Sequence, residues 1–380
     1  MLRVTLFSAV LAAASATRLE SLRLRGGQQK EKVCIIGSGN WGSAIAKIVG
    51  RNVLDRDQFE DEVTMWVFQE NVDGKNLTDI INNEHENVKY LPGVKFTDNV
   101  VADPDLTNAV QGATLLIFVL PHQFLGRICP QMTGMAKGCR AVSLIKGIEF
   151  KDSKPILISD LLAAEMKKGP NAPDVDMSVL MGANVANEVA KGDFAEATVG
   201  CTDLAIGAKW VSVFNTPDFK VDPVMDVAGA ELCGALKNVV ALGAGFCDGL
   251  GFGGNTKAAI IRIGLKETAK FAKMFFSGVQ DDTFMESCGL ADLVTTCFGG
   301  RNRKCADIYA KMQKAGTPKA WDVIETEELN GQKLQGTGTA KDVMTCIKAA
   351  GKEKDFPLMC QIYRIAFEDA KCETIIQINN

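Results

Sequence analysis

Val33-Cys34-Ile35-Ile36-Gly37-Ser38-Gly39-Asn40-Trp41-Gly42 is the stretch from which the rest of the chain can be read. Four apolar residues run into a glycine cluster, and Ser43-Ala44-Ile45-Ala46-Lys47-Ile48-Val49 follows with helical spacing. The order is strand, tight turn, helix. Gly37 permits an unusual φ at the turn, Gly39 lets backbone approach a pyrophosphate, and Gly42 lets the helix lie close to the strand. The helix start offers unpaired N–H groups and the positive end of its dipole to that anion. G-x-G-x-x-G alone is a weak signal, but with both flanks in place it reads as a dinucleotide site rather than a glycine turn without a ligand.

A length of 380 residues favours two domains. The chain is 47% hydrophobic and 23% charged, ordinary for a soluble protein, and its net charge is −4 with no long basic run. That argues against a nucleic-acid or anionic-membrane surface, so any positive charge at a site must be local. Twelve cysteines are scattered without a C-x-x-C pair, and several, such as Cys34, Cys129 and Cys233, sit in apolar runs as small hydrophobes. Neither a disulfide framework nor a zinc site is expected. With His85 and His122 as the two histidines, no metal site is expected either.

Residues 1–16 carry Arg3, an apolar run and the small residues Ala14-Ser15-Ala16, the pattern of a secretory signal peptide with its cleavage site. The run is too short for a permanent membrane span, so no stable insertion is expected. A basic segment follows, and residues 1–27 are set apart as a targeting leader. A signal peptide fits poorly with so many unpaired cysteines, because oxidising compartments tend to pair thiols. One reconciliation is a two-part address, secretory entry continuing to a reducing organelle such as a plastid. The alternatives are plain secretory entry and a cytoplasmic location.

Residues 63–68 read as the second strand, ending in Gln69-Glu70. Glu70 is a weak candidate for a ribose-binding acid, because the segment 51–62 lengthens the connection beyond the usual spacing. Phe68 is an alternative contact, stacking on an adenine. The absence of an arginine cluster here favours NAD over NADP. Apolar runs at 115–120, 141–145 and 179–184 supply further strands separated by helical segments, which together mean a parallel sheet with ligands at its carboxyl ends. Lys146 and Asn184 stand at such ends, although a lysine there also serves as an ordinary solvated loop charge. From about Asp222 long helical periodicities take over, at 231–243, 256–276, 289–297, 303–313 and 338–349. The expected organisation is α/β: a Rossmann dinucleotide-binding domain over 28–222 and an all-helical domain over 223–380, joined at 218–223.

Within the helical half, Lys237 lies among apolar and small neighbours, where desolvation lowers an amine's pKa toward the range of a general acid/base. A snorkelling surface lysine is the plainer reading. Residues 243–254 are dense in glycine, consistent with either close helix packing or a mobile loop. Asp292 falls on the first turn of a helix, where it either orients Lys237 or satisfies the dipole. Gly299-Gly300-Arg301-Asn302-Arg303-Lys304 suits either a phosphate clamp or a solvated basic cap.

The motifs at 37–42, 143–147, 181–184, 231–238, 299–304 and 330–336, taken in order, resemble NAD-dependent glycerol-3-phosphate dehydrogenase of the eukaryotic cytosolic type, over about residues 31–370. The resemblance implies a Rossmann domain, a helical substrate domain, a site in the cleft between them, NAD as cofactor and a homodimer. It implies interconversion of dihydroxyacetone phosphate and sn-glycerol 3-phosphate. Carried over residue by residue, it makes Lys237 the acid/base, with Lys146, Asn184 and Asp292 around the carbonyl and Thr296 near Lys237. Arg301 and Asn302 would hold the phosphate. Cofactor contacts would come from Gly37, Ser38, Gly39, Asn40, Trp41, Gly42, Phe68, Phe124, Ala186, Arg301, Lys333 and Gln335. The leader is the one departure from the cytosolic pattern. Two rivals share the architecture: an enzyme acting on a hydroxy acid or sugar acid, and a non-catalytic NAD-binding sensor.

Overall fold

Eight strands form one sheet: β1 (Glu31–Ile36), β2 (Phe59–Trp66), β3 (Val100–Asp103), β4 (Leu115–Phe118), β5 (Arg140–Ser143), β6 (Asp176–Met181), β7 (Ala195–Gly200) and β8 (Phe219–Val224). The computed structural model describes residues 30–169 and 174–378; the expected leader lies outside them. The strand order is β8-β7-β6-β5-β4-β1-β2-β3. From β3 to β6 every pairing is parallel, giving the 3-2-1-4-5-6 order of a doubly wound dinucleotide fold. β7 then runs antiparallel to β6, and β8 pairs in parallel with β7. The central strands are buried on both faces, so their apolar runs are continuous rather than alternating. The strand order reverses between β1 and β4, which opens a crevice where Gly37 leaves the sheet.

The segment expected as an interdomain joint is strand β8. Phe219-Lys220-Val221-Asp222 alternates buried and exposed, and the polar members gave it the look of a linker. The expected division after residue 222 therefore falls inside a strand that runs to Val224. β2 likewise ends at Trp66, leaving Phe68 and Glu70 in the loop beyond it.

The helical domain is built on Val227–Leu250. Among the described residues this is the one helix long and apolar enough to cross a membrane, and it is core: 83% of its apolar window is buried. With α1 (Asn40–Leu54) beside the sheet, it is labelled α2. Its start is fixed by Asp226, which accepts from Gly229 N at 2.7 Å, Gln280 N at 2.9 Å and Thr283 Oγ1 at 2.8 Å. Packed around it are α3 (Gly254–Phe275), α4 (Asp292–Gly299), α5 (Arg301–Lys314), α6 (Trp321–Leu329), α7 (Gln335–Ala349) and α8 (Pro357–Phe367). The glycine-dense stretch divides: Gly243, Gly245 and Gly249 serve close packing, whereas Gly251, Gly253 and Gly254 face open space at the turn into α3. A Cβ on Gly245 would lie 2.3 Å from the Arg303 carbonyl, so glycine there lets α5 run against α2.

Candidate active site

The nucleotide turn has the geometry its glycines require. Gly37 has φ +116°, and a Cβ there would meet the Val119 carbonyl at 2.6 Å. A Cβ on Gly42 would meet the Gly37 carbonyl at 2.4 Å, whereas Gly39 faces open space. Gly39 caps α1 without a side-chain partner, and no acid occupies the first turn, so the N–H groups there are available to an anion. Asn87 fixes the loop by donating to the Ser38 carbonyl at 2.8 Å. Asn40 Nδ2 donates to the Tyr90 carbonyl at 2.7 Å and to Asn187 Oδ1 at 2.9 Å. That second bond ties the turn to the helix Ala186–Lys191, which begins just past Asn184. The Trp41 ring turns away and packs edge-on against Phe219, 6.2 Å between centroids, leaving its backbone at the turn.

A cavity of about 380 Å³ opens from Gly37–Gly39, flanked by the exposed rings of Phe68 and Phe124. Its walls include three residues the sequence reading did not single out: Glu70's partner Tyr90, Arg127 and Trp66. Glu70 accepts from Tyr90 Oη at 2.7 Å and from Lys89 Nζ. Partial burial pushes the Glu70 carboxyl up, but these bonds outweigh it and hold the group below the usual carboxylate range. A cation therefore does stand at this turn, contrary to the reading of 68–70 by itself, and it is ion-paired to Glu70. Arg127 lies 5.7 Å from the Phe124 ring. The glycine cradle, free helix N–H groups and two flanking rings fit a dinucleotide.

Where the sheet meets α2, three charged side chains converge. Lys237 on α2 donates to Asp292 Oδ1 at 2.5 Å, and Lys146, just beyond β5, donates to Asp292 Oδ2 at 2.8 Å and to the Gly182 carbonyl at 2.7 Å. Asp292 is 2% exposed. A Cβ on Gly234, one turn before Lys237, would crowd Met181 Sδ at 3.1 Å, while the Lys146 stem would lie in ordinary contact with it at 3.7 Å. Two cations share one carboxylate, so the cluster holds one positive charge beyond neutrality. Burial pushes the Lys237 ammonium down to about 8; the Lys146 charge acts in the same direction, and Asp292 opposes both. A lysine that merely snorkels would not carry this shift.

A single turn of π-helix, Ser287–Ala291, delivers Asp292 to this point. It is anchored to β7, where the Glu196 carbonyl accepts from Ser287 Oγ at 2.7 Å and from Asn184 Nδ2 at 2.9 Å. Asn184 and the π-turn thus hang from one backbone atom. Thr296, one turn past Asp292, is buried; its carbonyl accepts from Gly300 N at 3.1 Å, so it abuts the glycine turn.

Beyond that turn the basic run divides. Arg303 pairs with Asp248 and Asp307, and Lys304 pairs with Glu328. Arg301 remains exposed, donating to Gln332 Oε1 at 2.7 Å. The Asn302 amide faces inward, donating to Asn238 Oδ1 at 3.0 Å and accepting from Gly336 N at 2.9 Å, so its side chain braces α2, α5 and α7. Gln335 Oε1 accepts from Asn238 Nδ2 at 3.4 Å, while Lys333 pairs with Glu325 at 2.7 Å. Gln332 was missed by the sequence reading, although it sits within the 330–336 motif.

Two family models match the chain: NAD-dependent glycerol-3-phosphate dehydrogenase N-terminus over residues 32–206, and its C-terminus over residues 226–377. The chain belongs to the NAD-dependent glycerol-3-phosphate dehydrogenase family. It is 52% identical over 340 residues to cytoplasmic glycerol-3-phosphate dehydrogenase [NAD(+)] of Homo sapiens, covering 89% of this chain and 94% of that one. It is 50% identical to the human glycerol-3-phosphate dehydrogenase 1-like protein, covering 91% and 95%. Among solved structures, the Saccharomyces cerevisiae glycerol-3-phosphate dehydrogenase superposes with a TM-score of 0.85 at 41% identity, covering 92% of this chain and 99% of that one. The Plasmodium falciparum glycerol-3-phosphate dehydrogenase gives 0.84 at 39% identity, covering 92% and 96%. The Rossmann-plus-helical architecture expected from the sequence is the family's architecture, with NAD as its cofactor.

Proposed function

We propose that this chain interconverts dihydroxyacetone phosphate and sn-glycerol 3-phosphate with NAD, using Lys237 as general acid/base. The observation that carries the reading is the pair Lys146 and Lys237 on the two oxygens of buried Asp292. When bound, the dinucleotide supplies or accepts the hydride. The protein's part is to move one proton and to hold charge. In reduction, the Lys237 ammonium gives a proton to the carbonyl oxygen as negative charge builds there; in oxidation, the neutral amine takes it back. A pKa of about 8 leaves both forms accessible near neutrality. Lys146 and an Asn184 amide hydrogen stabilise the oxyanion that develops there. Asp292 orients both ammonium groups and is too well buried to be released to solvent.

The substrate phosphate is held by the Arg301 guanidinium and by the open N-terminus of α5. That helix is capped by Gly300 without a side-chain bond and has no acid in its first turn. Asn302 contributes its backbone N–H and keeps its amide on Asn238, with Thr296 packed against the turn behind it. Phe68, Phe124, Ala186, Lys333 and Gln335 complete the cofactor surround. Binding energy at the phosphate orients the reacting end.

The chain works as a homodimer, as the family resemblance implies, and its leader addresses it to a reducing compartment. The twelve free, buried thiols support that destination. The test of the function is NADH oxidation with dihydroxyacetone phosphate set against a panel of hydroxy-acid and sugar-acid ketones. Preference for another ketone, or NADH binding without turnover, would overturn it.

A further inference from the structure

Between the two lysines the chain makes an excursion that links the domains. After Lys146, Ile148 enters the apolar core of the helical domain, as does Leu157 at the far end of the hairpin Glu149–Lys151 and Lys154–Ile156. At Ile158 it returns to the Rossmann core, where Ile158, Leu162 and Met166 of the helix Ile158–Met166 are buried. That helix starts at Leu157, which has no side chain able to cap it. The missing cap is supplied from α2. Glu231, 1% exposed, accepts from the Ile158 N–H, from Ser159 N at 3.3 Å and from Ser159 Oγ at 2.6 Å.

Glu231 lies on the helix that carries Lys237, and the amides it grips belong to the segment that leads away from Lys146. A carboxylate in an apolar core is costly to leave unpaired, so this grip is stringent in distance and direction. Burial pushes the Glu231 carboxyl up to about 7 against the hydrogen bonds from Ser159 and Ile158, and the Asp160 charge adds to the rise.

We propose that Glu231 is a positioning residue for the reaction: by capping the helix Ile158–Met166 it sets the helix of Lys237 against the loop of Lys146. The proposal rests on the acid/base reading of Lys237, and its test separates the two. Glu231→Leu keeps most of the volume but removes both acceptor oxygens, so the Ile158 and Ser159 donors lose their partner, the cap fails and α2 is released from the Lys146 loop. Opening this seam relieves the burial that depresses Lys237 most and takes it away from the Lys146 charge, while Asp292, on a helix packed against α2, stays with it; its pKa therefore rises.

That pKa is read without turnover, from the pH dependence of amine acetylation at Lys237 followed by mass spectrometry. A rise of roughly one unit is expected in Glu231→Leu, with kcat for dihydroxyacetone phosphate falling about tenfold or more and the KM for NADH unchanged. Ser159→Ala, which leaves the backbone bonds in place, should shift the pKa in the same direction by less, and it decides the question if Glu231→Leu fails to fold. Lower stability with an unchanged Lys237 pKa in the soluble variants would overturn the proposal and leave Glu231 as a structural cap. A wild type inactive toward dihydroxyacetone phosphate would instead refute the functional reading, while the pKa comparison still decides the role of Glu231.

Discussion

Replacing Lys237 by Met separates what the fold gives up from what the chemistry gains. In the folded protein burial pushes this ammonium down to about 8 from an ordinary value of 10.5, despite the pull of Asp292. At about 1.4 kcal/mol per unit, the folded state holds the charged lysine at a cost of roughly 3 kcal/mol. The direction in pH follows. Below about 8 both folded and unfolded chains are protonated, and the whole cost is present. From 8 toward 10.5 the folded lysine has lost its proton while the unfolded one keeps it, so the cost fades as pH rises. Met keeps the stem and removes the charge; Asp292 retains Lys146 on Oδ2 at 2.8 Å and so keeps a countercharge, while Oδ1 loses its donor, which offsets part of the gain. Lys237→Met should therefore be more stable than wild type at pH 7, by up to about 3 kcal/mol, with the gain shrinking at pH 9.5. Urea unfolding at both values measures it. Activity should fall by about 10²–10⁴-fold, near the upper end because a cation is lost beside the carbonyl, with little change in NADH affinity. A destabilised variant, or a gain independent of pH, would refute the desolvation argument. Activity within about threefold of wild type would move the proton-transfer role to Lys146.

Arg301→Ala should reduce kcat/KM for dihydroxyacetone phosphate at least about tenfold, from a charge-assisted contact of about 1.5–3 kcal/mol, and should barely affect unphosphorylated dihydroxyacetone; equal losses would remove Arg301 from the phosphate. Arg301→Lys should recover only part of the loss, since an ammonium lacks the planar fork. Because Lys89 is held by Glu70 and that carboxylate faces the cofactor cavity, kcat/KM should favour NADH clearly over NADPH, and parity between the two would contradict this reading of the turn. A chain beginning after residue 27 should fold and turn over like the full chain, since β1 starts at Glu31. N-terminal sequencing of the natural protein should find the leader removed; retention of Met1 would refute cleavage.

Residues whose role is local were legible in the sequence. The turn at 37–42 announces itself because three glycines satisfy three neighbouring steric demands, and Lys237 stands out because its own helix is apolar all round. β8 was not legible: its alternation is short, and Asp222 and Pro223 resemble a joint. Tyr90 and Arg127 reach the cofactor cavity, and Lys89 reaches Glu70 on its wall, only through the order of strands in the sheet, so no spacing along the chain marks them. The inward turn of the Asn302 amide depends on where α7 presents Gly336, which is a fact of tertiary packing. Glu231 could be seen in its motif, but its partners lie across a domain boundary.

The central claim is that the Lys146–Asp292–Lys237 cluster and the Arg301 turn together reduce the carbonyl of a phosphorylated triose. It is tested most directly by following NADH absorbance with purified protein and dihydroxyacetone phosphate, and identifying the product. The account predicts one NADH consumed for each sn-glycerol 3-phosphate formed, with far slower turnover of unphosphorylated dihydroxyacetone. No NADH consumption with dihydroxyacetone phosphate, or equal rates with the unphosphorylated ketone, would contradict it.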